Sequence, residues 1–229
     1  MAPWLVGFFV WTLGPMLFAA GLVFTDWQLL TPPRWVGLRN FAQVAQDELF
    51  WTSLYNTAYF TFIGVPLQLV AALLAAMALN LPIRGVRLYR AAFYVPSITP
   101  QVAGVILWVW IFNPEFGLAN SVLRAIGLPG QLWMLDPAQV KPVFIFMSLW
   151  GIGSQMIIFL AGLQGVPETL VEAATLDGAT RWQRLRYVTL PMISPVIFFN
   201  LVIGIIGSFQ VFTTAYLATN GGPANASLF

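Results

Sequence analysis

No charged side chain and no histidine occurs in five long stretches of this chain, residues 3–24, 55–81, 91–112, 142–163 and 195–217. At about 1.5 Å of rise per residue, each run is long enough as a helix to cross the roughly 30 Å hydrocarbon layer of a bilayer. Water is absent there, so a spanning segment has to close its own backbone hydrogen bonds, and a run of this length does so as a helix. The expected fold is all-α: a polytopic transmembrane helix bundle with five visible spans, built as one domain over residues 1–229. Apolar residues make up 59% of the chain and charged residues 8%, a balance that a soluble domain could not show to water without aggregating.

Composition also excludes chemistry. Histidine and cysteine are both absent, which removes the commonest catalytic base, the thiol nucleophile and the usual zinc and copper ligands. No catalytic, metal-binding or cofactor-binding residue is expected, and the chain does not read as an enzyme. Lys141, the one lysine, follows Val140, so the Gly-Lys-Ser/Thr phosphate-binding signature cannot occur. If ATP drives the protein's work, another polypeptide binds it. A net charge of +2 is too small to argue for nucleic acid.

The charges report topology instead. The loop from Pro82 to Arg90 carries Arg84, Arg87 and Arg90 with no acid, and by the positive-inside rule it is cytoplasmic. The loop 164–190 then lies on the same side, giving arginines 84, 87, 90, 181, 184 and 186 inside against Arg34, Arg39, Arg124 and Lys141 outside. The N terminus is cytoplasmic in this arrangement and residue 229 is outside. The first run could instead be a signal peptide, but it lacks a basic n-region and a small-residue cleavage site. Residues 26–54 form a polar, proline-containing segment suited to the membrane surface, and 113–141 a mixed loop. Pro66 and Gln68 sit near the middle of the second run, where a missing donor predicts a bend. Trp51, Trp108, Trp110 and Trp133 lie near span ends and read as interfacial anchors.

Loop 164–190 is the longest stretch that must sit in water, and it holds Glu168, Glu172, Asp177, Arg181, Arg184 and Arg186. Pro167 suits the first helical position and Glu168 the first turn. Leu170, Val171 and Ala174 then share one face, and Glu168, Glu172 and Thr175 another. Gly178 supplies the left-handed residue that stops a helix, and Thr180 with Gln183 matches a capping box for a second short helix. Amphipathicity alone describes two interfacial helices with solvated charges.

The wording goes further. Glu172-Ala173-Ala174, Gly178, Val188 and Leu190-Pro191 stand at the spacing of the EAA signature, and the loop resembles the cytoplasmic EAA loop of permease subunits of binding-protein-dependent ABC importers. Val188 is the one departure, where isoleucine is usual. Gly37-Leu38-Arg39-Asn40-Phe41, Tyr94-Val95-Pro96-Ser97, Asn113-Pro114-Glu115-Phe116-Gly117, Ala161-Gly162-Leu163-Gln164 and Thr219-Asn220-Gly221-Gly222-Pro223 are similar to the carbohydrate branch, the maltose and glycerol-3-phosphate type. The resemblance implies a type I importer permease fold with a cytoplasmic tail before the first helix and a sixth span after the Gly-Gly-Pro loop. Neither is visible, so the chain reads as shortened.

The resemblance also implies partners: a second permease subunit, an ATPase dimer that binds ATP and Mg, an external solute-binding protein, membrane lipid and a sugar-class substrate in the inner or plasma membrane. It makes Glu172, Ala173, Ala174, Asp177, Gly178, Arg181, Leu190 and Pro191 the surface that meets the ATPase. It places the substrate path on the fourth and fifth helices. Ser148, Gly151, Gln155 and Gly162 share a face there, with Trp150 and Ser154 close by. Asn200, Gly204, Gly207, Ser208 and Val211 form a stripe that is either a packing seam or a hydrated path. Trp150 is either a sugar contact or a core residue. The alternative is a secondary, ion-coupled transporter, but no span holds the ionisable coupling residue such carriers generally need.

Overall fold

Proline decides how the long apolar runs are built. Its ring blocks the carbonyl four residues back and it brings no N–H, so a helix that contains it has to open its ladder. In the structure, a computed structural model that describes residues 2–229, the chain answers this in two ways. The first is a π-helical turn just ahead of the ring: Phe9–Leu13 before Pro15, Phe60–Gly64 before Pro66 and Leu185–Thr189 before Pro191. The wider turn takes the blocked carbonyl out of the ring's way and the helix runs on. At Pro66, where a bend is predicted, the ladder widens and one continuous helix passes through without a break.

The chain divides into two units, the first ending at Trp51 and the second covering Thr52–Phe229. In the first, α1 (Ala2–Leu22) has none of its most apolar window buried, as a helix that is apolar on every side has in lipid. A two-residue hairpin follows, β1 (Thr25–Asp26) antiparallel to β2 (Arg34–Trp35), and then α2 (Arg39–Gln46). Asn40 ties these together, its Nδ2 donating to the carbonyls of Val23 at 2.8 Å and Thr25 at 3.0 Å. The next helix, α3 (Glu48–Leu79), starts well before the apolar run at Tyr55. Asp47 accepts from the Leu49 N–H at 2.9 Å and Glu48 stands in the first turn, so a side-chain cap and a favourable charge extend the helix into polar sequence.

The second unit shows the other answer to proline and glycine, the broken helix. α4 (Val86–Ile98) and α5 (Gln101–Ile111) meet at 98°. Pro100 pushes Thr99 into an extended conformation, φ −68° and ψ 134°, as expected for a residue before proline. α6 (Leu118–Ala125) and a 3₁₀ turn (Trp133–Leu135) occupy the mixed loop. α7 (Val140–Leu149) and α8 (Gly153–Gln164) meet at 48° across Trp150–Ile152. α9 (Glu168–Leu176) is followed by α10 (Arg181–Met192), which meets α11 (Ser194–Ser208) at 67°, and α12 (Phe212–Thr219) ends the helices. Two helices, α1 and α3, are long and apolar enough to cross a membrane alone, and the number is five if each bent pair is one span. The third, fourth and fifth runs are thus not the single straight helices that their composition predicts. The fifth stops at Ser208 and resumes at Phe212.

Two apolar clusters hold the second unit together. One gathers Phe60, Phe112, Met134 and the buried face of α7, including Phe144 and Met147. The other pairs Ala72, Ala76 and Leu79 of α3 with Ile152, Met156, Phe159, Leu160 and Leu163 of α8, and adds Ile193. The α3 residues recur at helical spacing, and fully buried alanines let the two helices approach closely. Asn56 fastens the Gly-Gly-Pro segment to α3. Its Nδ2 donates to the carbonyls of Asn225 at 2.9 Å and Leu228 at 2.8 Å, and its Oδ1 accepts from Lys141 Nζ at 3.0 Å. The ammonium also lies 4.9 Å from the Tyr55 ring centre and 5.3 Å from that of Tyr59.

The bend after α7 needs a glycine. A Cβ on Gly153 would run into the carbonyl oxygen of Phe93 and stand 2.8 Å from Tyr94 Cα, so α8 begins against bare backbone of α4. Gly153→Ala forces the two helices apart and is expected to cost about 1–3 kcal/mol. A lowered thermal midpoint of the detergent-purified protein checks this, with Gly151→Ala, where the nearest atom is 3.7 Å away, as the milder comparison.

Candidate functional site

The loop between α8 and α11 is organised by its caps. Pro167 is extended and stands as the N-cap, one place earlier than the sequence predicts, and Glu168 opens α9. At the other end Gly178 has φ +78°. The Ala179 N–H reaches the Ala174 carbonyl at 3.0 Å and the Gly178 N–H reaches Thr175 at 3.1 Å, the paired bonds of a Schellman ending. The capping box of α10 is complete: Thr180 N donates to Gln183 Oε1 at 2.7 Å and Gln183 N to Thr180 Oγ1 at 3.3 Å. Arg184 Nη1 donates to Thr175 Oγ1 at 2.7 Å, bonding α10 to α9. These satisfied ends make a stiff corner in an exposed loop.

On this corner Glu172, Ala173, Asp177, Gly178 and Arg181 are exposed and Ala174 is half-buried. Glu172 makes no hydrogen bond or ion pair among the described residues. Leu176 is 89% exposed and Trp182 65%, so apolar side chains stand out in water beside the charges. The expected apolar face is partial: Val171 and Ala174 turn inward while Leu170 remains 43% exposed. Leu190-Pro191 does not end the second helix. The π turn before Pro191 carries α10 through to Met192, Leu190 packs on the second apolar cluster, and the break comes at Ile193.

Inside the second unit lies a cavity of about 430 Å³. Its wall draws on α3, the α4–α5 corner, α7, the α7–α8 bend, α11 and α12. Eight residues picked from sequence line it: Ser148, Trp150, Gly151, Gln155, Gly204, Gly207, Ser208 and Val211. Three do not. Ser154 is exposed on another side of α8, and Asn200 is fully buried in packing, one turn earlier on α11 than Gly204. Gly162 lies away from the wall and packs where a Cβ would meet Val196 Cγ2 at 2.9 Å, while Gly204, Gly207, Ser208 and Val211 all line the cavity although Val211 lies beyond the end of α11.

The wall also contains groups that sequence reading passed over. Gln68 donates to Ser148 Oγ at 2.9 Å, Thr61 Oγ1 and Ser208 Oγ stand 2.8 Å apart, and Gln101 donates to Thr214 Oγ1 at 3.1 Å. These bonds tie α3 to α7, α3 to α11 and α5 to α12. Ser97, Thr99 and Gln101 reach the cavity because of the 98° corner, and prolines 96 and 100 inside one apolar run were the available signal. Trp108, predicted to be an interfacial anchor, faces the cavity instead. Its ring meets that of Trp150 edge-on at 5.9 Å and stacks on Phe112 at 5.5 Å. Among the described residues, no Asp, Glu, Lys or Arg lines the cavity.

With this geometry in view, comparison with known proteins is decisive. The family described as binding-protein-dependent transport system inner membrane component matches residues 68–229. The chain belongs to this family. The permease is 41% identical over 233 residues to the probable ABC transporter permease protein YesP of Bacillus subtilis, covering all of this chain and 75% of that one. It is 36% identical to the lactose transport system permease protein LacF of Rhizobium radiobacter, across 84% of this chain and 66% of the relative. Among solved structures it matches a bacterial ABC transporter involved in the import of the acidic polysaccharide alginate, with a TM-score of 0.83 and 26% identity, over 99% of this chain and 77% of that one. The protein is thus an inner-membrane, multi-pass importer component of the carbohydrate type, and its relatives are transporter parts rather than enzymes.

The cross-helix hydroxyl pair should matter to the fold around the cavity. Thr61→Val keeps the shape of the side chain and removes the bond to Ser208 across the helices, leaving Ser208 its bond to the Ile205 carbonyl, and is expected to destabilise by about 1 kcal/mol. Thermal unfolding of the purified permease checks this, with Thr61→Ser close to wild type.

Proposed function

We propose that this permease and a second permease subunit together enclose the path of a sugar-class solute delivered by an external binding protein, and that an ATPase dimer drives the cycle from the cytoplasm through the Glu172 corner. The whole chain acts as a single permease domain. ATP and Mg belong to the ATPase, and the N terminus and the loop 164–190 face the cytoplasm, in keeping with the arginine distribution. The relatives support the solute class: the lactose permease named above and the sn-glycerol-3-phosphate transport system permease protein UgpA of Yersinia pestis, 35% identical over 96% of this chain and 74% of that one.

The observation that carries the coupling role is the stiff, doubly capped corner that shows an acid without a partner beside exposed Leu176 and Trp182. A rigid element can transmit a push. Ala173 and Ala174 allow a partner surface to come close, Gly178 makes the turn, and Glu172 pairs with a basic residue of the ATPase. An acid half-buried against an arginine contributes more than an exposed pair. In the cavity, Trp150 beside the amide of Gln155 and the hydroxyl of Ser208 offers an apolar face and hydrogen-bonding groups together, which suits a sugar ring. Gly151 and Gly204 leave room for it.

Glu172→Ala is the test. In proteoliposomes carrying the assembled importer, the variant is expected to insert and assemble but to lose at least tenfold in uptake per ATP hydrolysed. Uptake at the wild-type ratio would remove Glu172 from the coupling surface.

A further inference from the structure

Two hydrogen-bonding atoms in the wall of the cavity have no partner. Trp108 Nε1 is a donor, Gln155 Oε1 is an acceptor, and both are sealed from solvent and unbonded within the chain. Leaving such an atom unpaired inside a protein costs on the order of 1–3 kcal/mol, and the penalty is hardest to relieve in a bilayer, where no bulk water can reach it.

Both residues are held in place. The Trp108 ring is stacked on Phe112 and meets Phe146 and Trp150 edge-on at 5.7 and 5.9 Å. Gln155 projects from α8 toward α11, with Nε2 3.7 Å from where a Cβ on Gly204 would stand. Gly104, one turn before Trp108, is pressed by Trp150, whose Cζ3 would lie 3.3 Å from an added Cβ. Trp150 therefore fills the space between α5 and α8. Asn200 Oδ1 is also unpaired, but it lies outside the cavity wall.

We infer that Trp108 and Gln155 determine specificity in the solute path, as a donor and an acceptor kept for hydroxyl groups of an uncharged part of the transported solute. The inference rests on the cavity being that path. A hydroxyl can accept from an indole N–H and donate to an amide oxygen, so a polyhydroxylated ring answers both demands, and the absence of charge in the wall sets no other preference. Both residues line the cavity while the two atoms themselves are sealed from solvent, and the solute that enters relieves the unpaired state.

The test uses the complete importer in proteoliposomes, with lactose, maltose and trehalose as probes, and monodeoxy analogues of whichever is carried fastest. In the wild type, removing the hydroxyl that meets Trp108 or Gln155 is expected to lower uptake about tenfold. In Trp108→Phe, which keeps an aromatic ring and loses the N–H, the penalty for one deoxy position disappears. In Gln155→Leu the same happens for the acceptor. A merely structural role lowers parent and analogue alike, so deoxy penalties of unchanged size in both variants overturn the pair while normal ATPase stimulation by the binding protein leaves the importer standing. Absence of that stimulation in the wild type overturns the importer reading and the pair with it. A structure of the assembled complex gives a check that needs no probe: a partner-subunit group bonded to either atom overturns the inference, and two atoms still unpaired support it.

Discussion

Backbone hydrogen bonds have to be closed inside a bilayer, and this chain carries prolines in or beside most of its apolar runs. The architecture follows from how each proline is accommodated. Where the opening of the ladder fits within a π turn, as before Pro66 and Pro191, the helix continues with a local widening. Before Pro100 the helix instead breaks at Thr99, and a second break falls at Gly151, which has no proline beside it and is fixed by the close approach of Gly153 to α4. Thr99 and Gly151 both line the cavity, so the breaks bring polar and small residues to its wall.

The permease unites two regions of opposite physical character. The hydrogen bonds in the cavity wall run between helices, Gln68 to Ser148 and Gln101 to Thr214, so its shape depends on helix positions more than on any single rotamer. The Glu172 corner depends on bonds between near neighbours in sequence, Thr180 with Gln183 and Ala179 with Ala174. The first can be reshaped by moving helices. The second keeps its form while it is moved. An importer driven from one side needs both properties in one chain.

The same contrast explains what sequence reading could recover. The spans were visible because charge is excluded from lipid, and the caps of α9 and α10 because Gly178, Thr180 and Gln183 act locally. The EAA wording and the loop phrases gave the family. The angles at Thr99 and Gly151 were hidden, since apolar composition is the same on both sides of each and the angle is set by packing. Trp108 and Ser154 were misplaced for that reason: once α4–α5 and α7–α8 bend, one side chain swings into the cavity and the other away from it. Asn200 had the right helical phase but lies one turn outside the wall.

One further consequence follows from the 67° elbow between α10 and α11. Ile193 is 1% exposed and clamped in the second apolar cluster, so it forms a fulcrum with unequal arms. On one side α10 is bonded to the Glu172 helix through Arg184 and Thr175. On its other side α11 runs 15 residues to Ser208, about 21 Å at helical rise. A tilt of roughly 10° about that point carries Ser208 about 4 Å, comparable to the width of a sugar ring. A tilt about Ile193 thus moves the Glu172 corner and the cavity wall together, as two arms of one lever.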